Sequence, residues 1–154
     1  MPHHHPLKLN RRQVIALGSL SVLAPAASAQ GSDELAAAVA AYAQGAPLQS
    51  GRVKLIIEKL VDNGNAVPVT VTVDSPMTTT DRVVDIAIFN EKNPLRDVAR
   101  FRLGPRVGKA VVSTRIRLAT SQNLIAVARM IDGTVWTDTA NVVVVLAACI
   151  EGEG

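Results

Sequence analysis

From Val53 onward the chain is written in period two. Val53, Leu55 and Ile57 alternate with Lys54, Ile56 and Glu58, and Val67, Val69, Val71 and Val73 alternate with Pro68, Thr70 and Thr72. Successive side chains of a strand point to opposite faces, so this pattern builds strands with one buried and one wet face. Valine supplies most of it, and β-branched residues suit a pleated, half-buried surface. Further strands are predicted at about 83–89, 99–103, 110–118, 124–130, 135–137 and 142–146. Turn signals separate them at Asp62-Asn63-Gly64-Asn65, Ser75-Pro76, Asn93-Pro94, Gly104-Pro105 and Ser121-Gln122-Asn123. Asp132-Gly133 reads as a two-residue hairpin, because glycine accepts the positive φ of a type I′ turn. Seven to eight short strands spaced in this way give an all-β chain folded as an antiparallel β-sandwich. Only Tyr42, Phe89, Phe101 and Trp136 are aromatic, so the core must be built from Val, Ile, Leu and Ala.

The segment before the strands divides in two. Residues 1–29 read as an export signal: Lys8, Arg11 and Arg12, then an apolar stretch from Val14 to Ala24, then Ala27-Ser28-Ala29 as an A-x-A cleavage site. The run Asn10-Arg11-Arg12-Gln13-Val14-Ile15 resembles the twin-arginine export motif, which implies a periplasmic protein. Residues 30–146 are the folded domain. It opens on a helix for which Ser32 is the expected cap, with Asp33 and Glu34 in the first turn and Gly45 with Pro47 as the stop. Leu35, Val39 and Tyr42 give that helix one face that can dock.

Charge and composition exclude several functions. The chain carries 16 Lys+Arg against 13 Asp+Glu. Loss of residues 1–29 leaves 13 of each and a net charge of 0, which removes the support for nucleic-acid binding. It also removes His3, His4 and His5, the only histidines, and with them any Ser-His-Asp or Cys-His arrangement and any histidine metal site. One cysteine, Cys149, permits no internal disulfide and no cysteine-rich metal cluster. No catalytic group, metal or cofactor is indicated, and the chain reads as a non-enzyme.

Chemistry is left to the last segment, 147–154, with the sequence Ala147-Ala148-Cys149-Ile150-Glu151-Gly152-Glu153-Gly154. Eight residues extend up to roughly 26 Å, so the reading is a flexible arm bearing the sole thiol. An unpaired cysteine in an exported protein points to intermolecular pairing or a reactive thiol. Glu151 and Glu153 would raise the thiol pKa, so activation must come from a partner.

At these residues the chain resembles the SoxY family, sulfur-carrier subunits of periplasmic thiosulfate oxidation. The resemblance runs through Asp62-Asn63-Gly64, Val67-Pro68-Val69, Ser75-Pro76-Met77 and Asn93-Pro94. It continues through Val112-Ser113-Thr114-Arg115-Ile116-Arg117-Leu118-Ala119, Ala126-Val127-Ala128 and Asp132-Gly133. It implies an immunoglobulin-like sandwich paired with a related subunit, SoxZ, and a C-terminal cysteine, here Cys149, that holds substrate as a thioconjugate. The family arm reads Gly-Gly-Cys-Gly-Gly. Here Ala147, Ala148, Ile150 and Glu151 flank the thiol, which resembles a paralogous group and makes the arm stiffer, bulkier and more acidic.

Two further expectations complete the reading. From Arg96 to Arg117 there are seven basic residues and one acid, Asp97. Arg100/Arg102 and Arg115/Arg117 each have strand spacing, as a solvated outer face or as a docking surface for an acidic partner. Open edge strands and an alanine-rich helix in need of a dock lead to the expected heterodimer with a SoxZ-like chain and to docking of sulfur-oxidising enzymes on the arm. The competing function is an exported interaction module whose cysteine forms an intermolecular disulfide or has no role.

Overall fold

A computed structural model of the chain describes residues 27–146. One helix, α1 (Ala27–Ala43), precedes nine strands: β1 (Leu48–Gln49), β2 (Val53–Ile56), β3 (Leu60–Asn63), β4 (Val67–Val73), β5 (Val83–Asn90), β6 (Asp97–Arg102), β7 (Val111–Ile116), β8 (Gln122–Met130) and β9 (Val135–Leu146). They form two sheets. The larger runs β1-β9-β8-β5-β6, with β3 added alongside β9; the smaller runs β2-β4-β7. The all-β sandwich expected from the alternation is present.

The alternating valines do what the period requires. Val67, Val69, Val71 and Val73 of β4 are buried between the sheets with Val53 and Leu55 of β2, facing Ile86, Ile88, Leu124, Ala126, Ala128 and Val142 of the large sheet. Buried aliphatic surface contributes about 25 cal/mol per Å2, and this layer is the main source of stability. Asp138 of β9 adds a polar tie across it: its carboxylate accepts the Leu55 amide at 2.8 Å.

The opposite face of the large sheet carries α1. Leu35, Val39, Tyr42 and Ala43 pack on Ala87, Phe89, Val127 and Val135. Tyr42 meets Phe89 edge-on, with centroids 5.7 Å apart. The alanine-rich helix therefore docks on its own sheet. At its other end a Cβ on Gly31 would lie 3.1 Å from the Glu91 carbonyl, so the close approach of helix to strand depends on glycine there.

Four expectations need correction. The helix starts at Ala27, so Ser32 lies inside it and does not cap it, and no acidic residue occupies the first turn. Glu34 pairs with Arg96 instead. The two strands expected at 135–137 and 142–146 are one twelve-residue strand, because Asp138, Thr139, Ala140 and Asn141 remain paired to β8. Strands β1 and β3 were not expected, and both pair parallel to β9, so the sandwich is not wholly antiparallel. The Asp132-Gly133 hairpin exists with Gly133 at φ 86, while Asp132 is not in the left-handed region that a type I′ turn demands. The Gly133 amide closes on the Met130 carbonyl at 3.0 Å, and the Asp132 carboxylate accepts from Thr134, giving a longer loop with a glycine bulge.

Candidate functional site: the root of the C-terminal arm

The sequence places its carrier chemistry at Cys149, with Ala147, Ala148, Ile150 and Glu151 around it; all five lie outside the described residues, as do residues 1–26. What the structure shows is the platform from which that segment departs. Strand β9 is covered by β8 only as far as Val142, which faces Gln122. Beyond that point β3 takes over on the other edge: Leu60 faces Val143, Val61 faces Val144 and Asn63 faces Leu146. The Val143 amide donates to the Lys59 carbonyl and the Gly64 amide donates to the Leu146 carbonyl, each at 2.8 Å. The Val144 amide donates to Ser121 Oγ at 2.9 Å. The strand is held to its last residue, three positions before Cys149.

This clamp is built from the segment expected to be only a turn. Asn63 Oδ1 accepts the Asn65 amide at 2.9 Å, a side-chain closed turn that lets the chain reverse into β4 while Leu60–Asn63 lies beside β9. Val61 alone is buried, while Leu60, Asp62 and Asn63 are exposed, so a single side chain anchors this four-residue strand to the core. The run Leu60-Val61 before Asp62-Asn63 was the available signal, too short to separate from a loop.

The root is apolar on its surface. Leu60 is 61% exposed, Val145 62% and Leu146 64%. On its inner side lies a buried polar layer. Glu91 accepts the Asn123 amide and side chain at 3.0 and 2.9 Å. Gln122 donates to Asn93 Oδ1 and accepts the Lys92 amide. These bonds fix the β5–β6 loop against β8 beside the end of β9. Asn90 Nδ2 has no partner among the described residues.

A second polar cluster lies toward the other end of the sheet. Tyr42 donates its hydroxyl to Asp85 at 2.5 Å. Arg129 donates to the Tyr42 carbonyl, capping the helix C-terminus, and its guanidinium lies 5.0 Å from the Tyr42 ring centroid; that of Arg100 lies 5.2 Å away. Burial and the Asp85 carboxylate push the Tyr42 phenol far above its usual pKa. With Arg102 these groups line an open cavity of about 520 Å3. No sequence pattern points to it, because Tyr42 and Asp85 are distant in the chain and meet only once α1 lies on the sheet.

The basic run does not form one surface. Arg100 and Arg102 face α1 on the large sheet, where Arg100 pairs with Asp97 at 2.5 Å. Arg115 stands opposite Pro68 on the outer face of the small sheet. Asp81 and Asp85 are also separate: Asp81 pairs with Arg52 at 2.8 Å, and Asp85 serves Tyr42. Phe101 and Trp136 pack half-buried against the core. Among the described residues no group of three or more His, Cys, Asp or Glu could hold a metal, and no helix is long and apolar enough to cross a membrane.

Comparisons with known proteins agree with this architecture. The family model described as sulfur oxidation protein SoxY matches residues 38–149, a match that ends on Cys149. Among solved structures, the sulfur carrier protein SoxY from Chlorobium limicola f thiosulfatophilum is 31% identical, with a TM-score of 0.61, over 73% of this chain and 97% of that one. The superoxide reductase (neelaredoxin) from Ignicoccus hospitalis is 18% identical, with a TM-score of 0.54, over 61% of this chain and 80% of that one. The superoxide reductase from Nanoarchaeum equitans is 13% identical, with a TM-score of 0.53, over 62% and 100%. The reductases share the fold alone. Comparison with curated protein sequences gave no match. A family match from the helix to the sole cysteine, together with a SoxY structure sharing this sandwich, leads to one conclusion: the chain belongs to the SoxY family of sulfur oxidation proteins.

Proposed function

We propose that the protein is a periplasmic carrier that holds a sulfur-containing group covalently on Cys149 and presents it to partner enzymes of sulfur oxidation. The observation that carries this reading is the family match, which runs to Cys149, the only thiol in the chain. The clamped end of β9 supports it, since a firmly held root three residues before the thiol suits presentation of one sulfur atom to a partner's active site. Loading by a sulfur oxyanion such as thiosulfate forms an S–S bond at the Cys149 sulfur. It releases the thiol proton and two electrons, which a partner redox enzyme must accept.

Export through the twin-arginine-like signal belongs to the same proposal. Cleavage after Ala29 would remove only the first three residues of α1 and leave its docking face, Leu35 to Ala43, intact. The partner is a SoxZ-like subunit in a heterodimer that forms without Cys149. Loading tests the reading: wild type incubated with thiosulfate-oxidising enzymes gains mass on the tail peptide, and Cys149→Ser gains none at unchanged melting temperature. Equal loading of both forms would refute a carrier role for this thiol.

A further inference from the structure

We propose that the open edge of β6 takes the C-terminal segment of a second copy of this chain as an added antiparallel strand, with Glu151 set against Arg102 and Glu153 against Arg100. Strand β6 ends the order of the large sheet, so its outer edge has no partner among the described residues. The Leu103 amide donates inward to the Val84 carbonyl at 3.0 Å. Alternation along an antiparallel strand then turns the backbone groups of Arg100 and Arg102 to the open edge, where a further strand would bond.

The side chains on that edge call for acids two residues apart. Arg100 and Arg102 share the outer face, and Arg102 has no hydrogen bond or ion pair among the described residues. Arg100 hydrogen-bonds to Asp97 through its Nε, and its guanidinium also lies over the Tyr42 ring. Glu151-Gly152-Glu153 has the matching spacing. In the antiparallel register that sets Glu153 opposite Arg100, Glu151 falls opposite Arg102, with the opposed charges on one face. The intervening positions fit the other face. Gly152 comes opposite Phe101 and Ile150 opposite Leu103, and both of those side chains belong to the inter-sheet core.

The chain's own tail cannot supply this strand. Arg100 lies in the row of Ala87, Val127 and Thr137, nine residues from Leu146 along β9. At about 3.3 Å per residue and about 4.8 Å per strand the gap is roughly 33 Å. Glu153 lies seven residues past Leu146 and extends at most about 25 Å. The tail must therefore come from another molecule.

The test uses the full Cys149→Ser chain, which removes disulfide dimers, in sedimentation velocity at low and high salt. The expected result is concentration-dependent self-association that salt weakens. Glu151→Arg/Glu153→Arg and Arg100→Glu/Arg102→Glu should each weaken it by at least roughly ten-fold, and mixing the two reversed chains should restore it. The tail variant leaves residues 27–146 unchanged, so it decides the matter even if the arginine pair unsettles α1. A chain that stays monomeric at about 100 µM in low salt overturns the proposal. So does association that survives both charge reversals, which would assign the edge to a different occupant.

Discussion

The amide of Gly64 donates to the carbonyl of Leu146 at 2.8 Å, and with that bond the turn before β4 fastens the last residue of β9. The bond joins two parts of the chain that are remote in sequence, and it fastens β9 three residues before Cys149. If the platform matters, loosening it should change presentation of the thiol before it changes the thiol itself. Gly64→Pro removes the donor. The expected cost is about 1–3 kcal/mol, with faster amide exchange confined to residues 143–146. Uniform loss of protection across β8 and β5 would show that the root is not a separable unit.

Tyr42 couples helix docking to pH. Its folded pKa lies above the unfolded value of about 10, so the folded state keeps a proton that the unfolded state releases. The stabilisation from this group is complete below about pH 10 and falls as pH rises toward the folded value. Tyr42→Phe should lose about 1–2 kcal/mol at neutral pH, because the half-buried Asp85 carboxylate loses its donor, and it should lack this alkaline component. Thermal melts of both forms from pH 7 to 11 check this. Parallel curves would contradict it.

Asp132 behaves in the opposite sense. Hydrogen bonds from Thr134 hold its carboxyl below the usual range, so its contribution is present above the unfolded pKa and fades as pH falls through the folded value. Asp132→Asn should flatten the acid limb of the stability profile below about pH 4 and leave neutral stability nearly unchanged. An identical acid limb would show that the hairpin does not sense this group.

The helix contact is a core separate from the one between the two sheets. Phe89 is 1% exposed and joins Tyr42 to the sheet. Phe89→Ala should cost about 3–5 kcal/mol, and Val39→Ala on the helix side about 1–3 kcal/mol. Denaturant melts would show both as lower midpoints with unchanged slope. A normal Phe89→Ala midpoint would mean that α1 contributes little.

The alternation made most of the sandwich legible. Val67–Val73 announces itself because burial on one face imposes period two on the residue types, whereas Val83–Asn90, covered by the small sheet on one face and by α1 on the other, reads as a nearly continuous apolar run. Where the pattern was too short or too polar it failed. Leu60–Asn63 holds only four residues, and its pairing with β9 depends on a partner more than 80 residues away. Asp138 to Asn141 read as a break because polar residues in a strand centre look like a loop until Asp138 is seen to bond Leu55 across the sheets. Ser32 carried a cap signature, yet α1 begins five residues earlier at Ala27, so that signature falls inside the helix. For the site, residue chemistry singled out Cys149, whereas the clamp of β3 on β9 is long-range and invisible to spacing.

The carrier role stands or falls on what Cys149 holds in the cell. The most direct measurement is the intact mass, with tail-peptide mapping, of native protein taken from its own compartment under non-reducing conditions. The account predicts a fraction carrying added sulfur or sulfonate mass, confined to the peptide with Cys149 and released by a thiol reductant. A fully free thiol, or a disulfide-linked dimer with no other adduct, would contradict it.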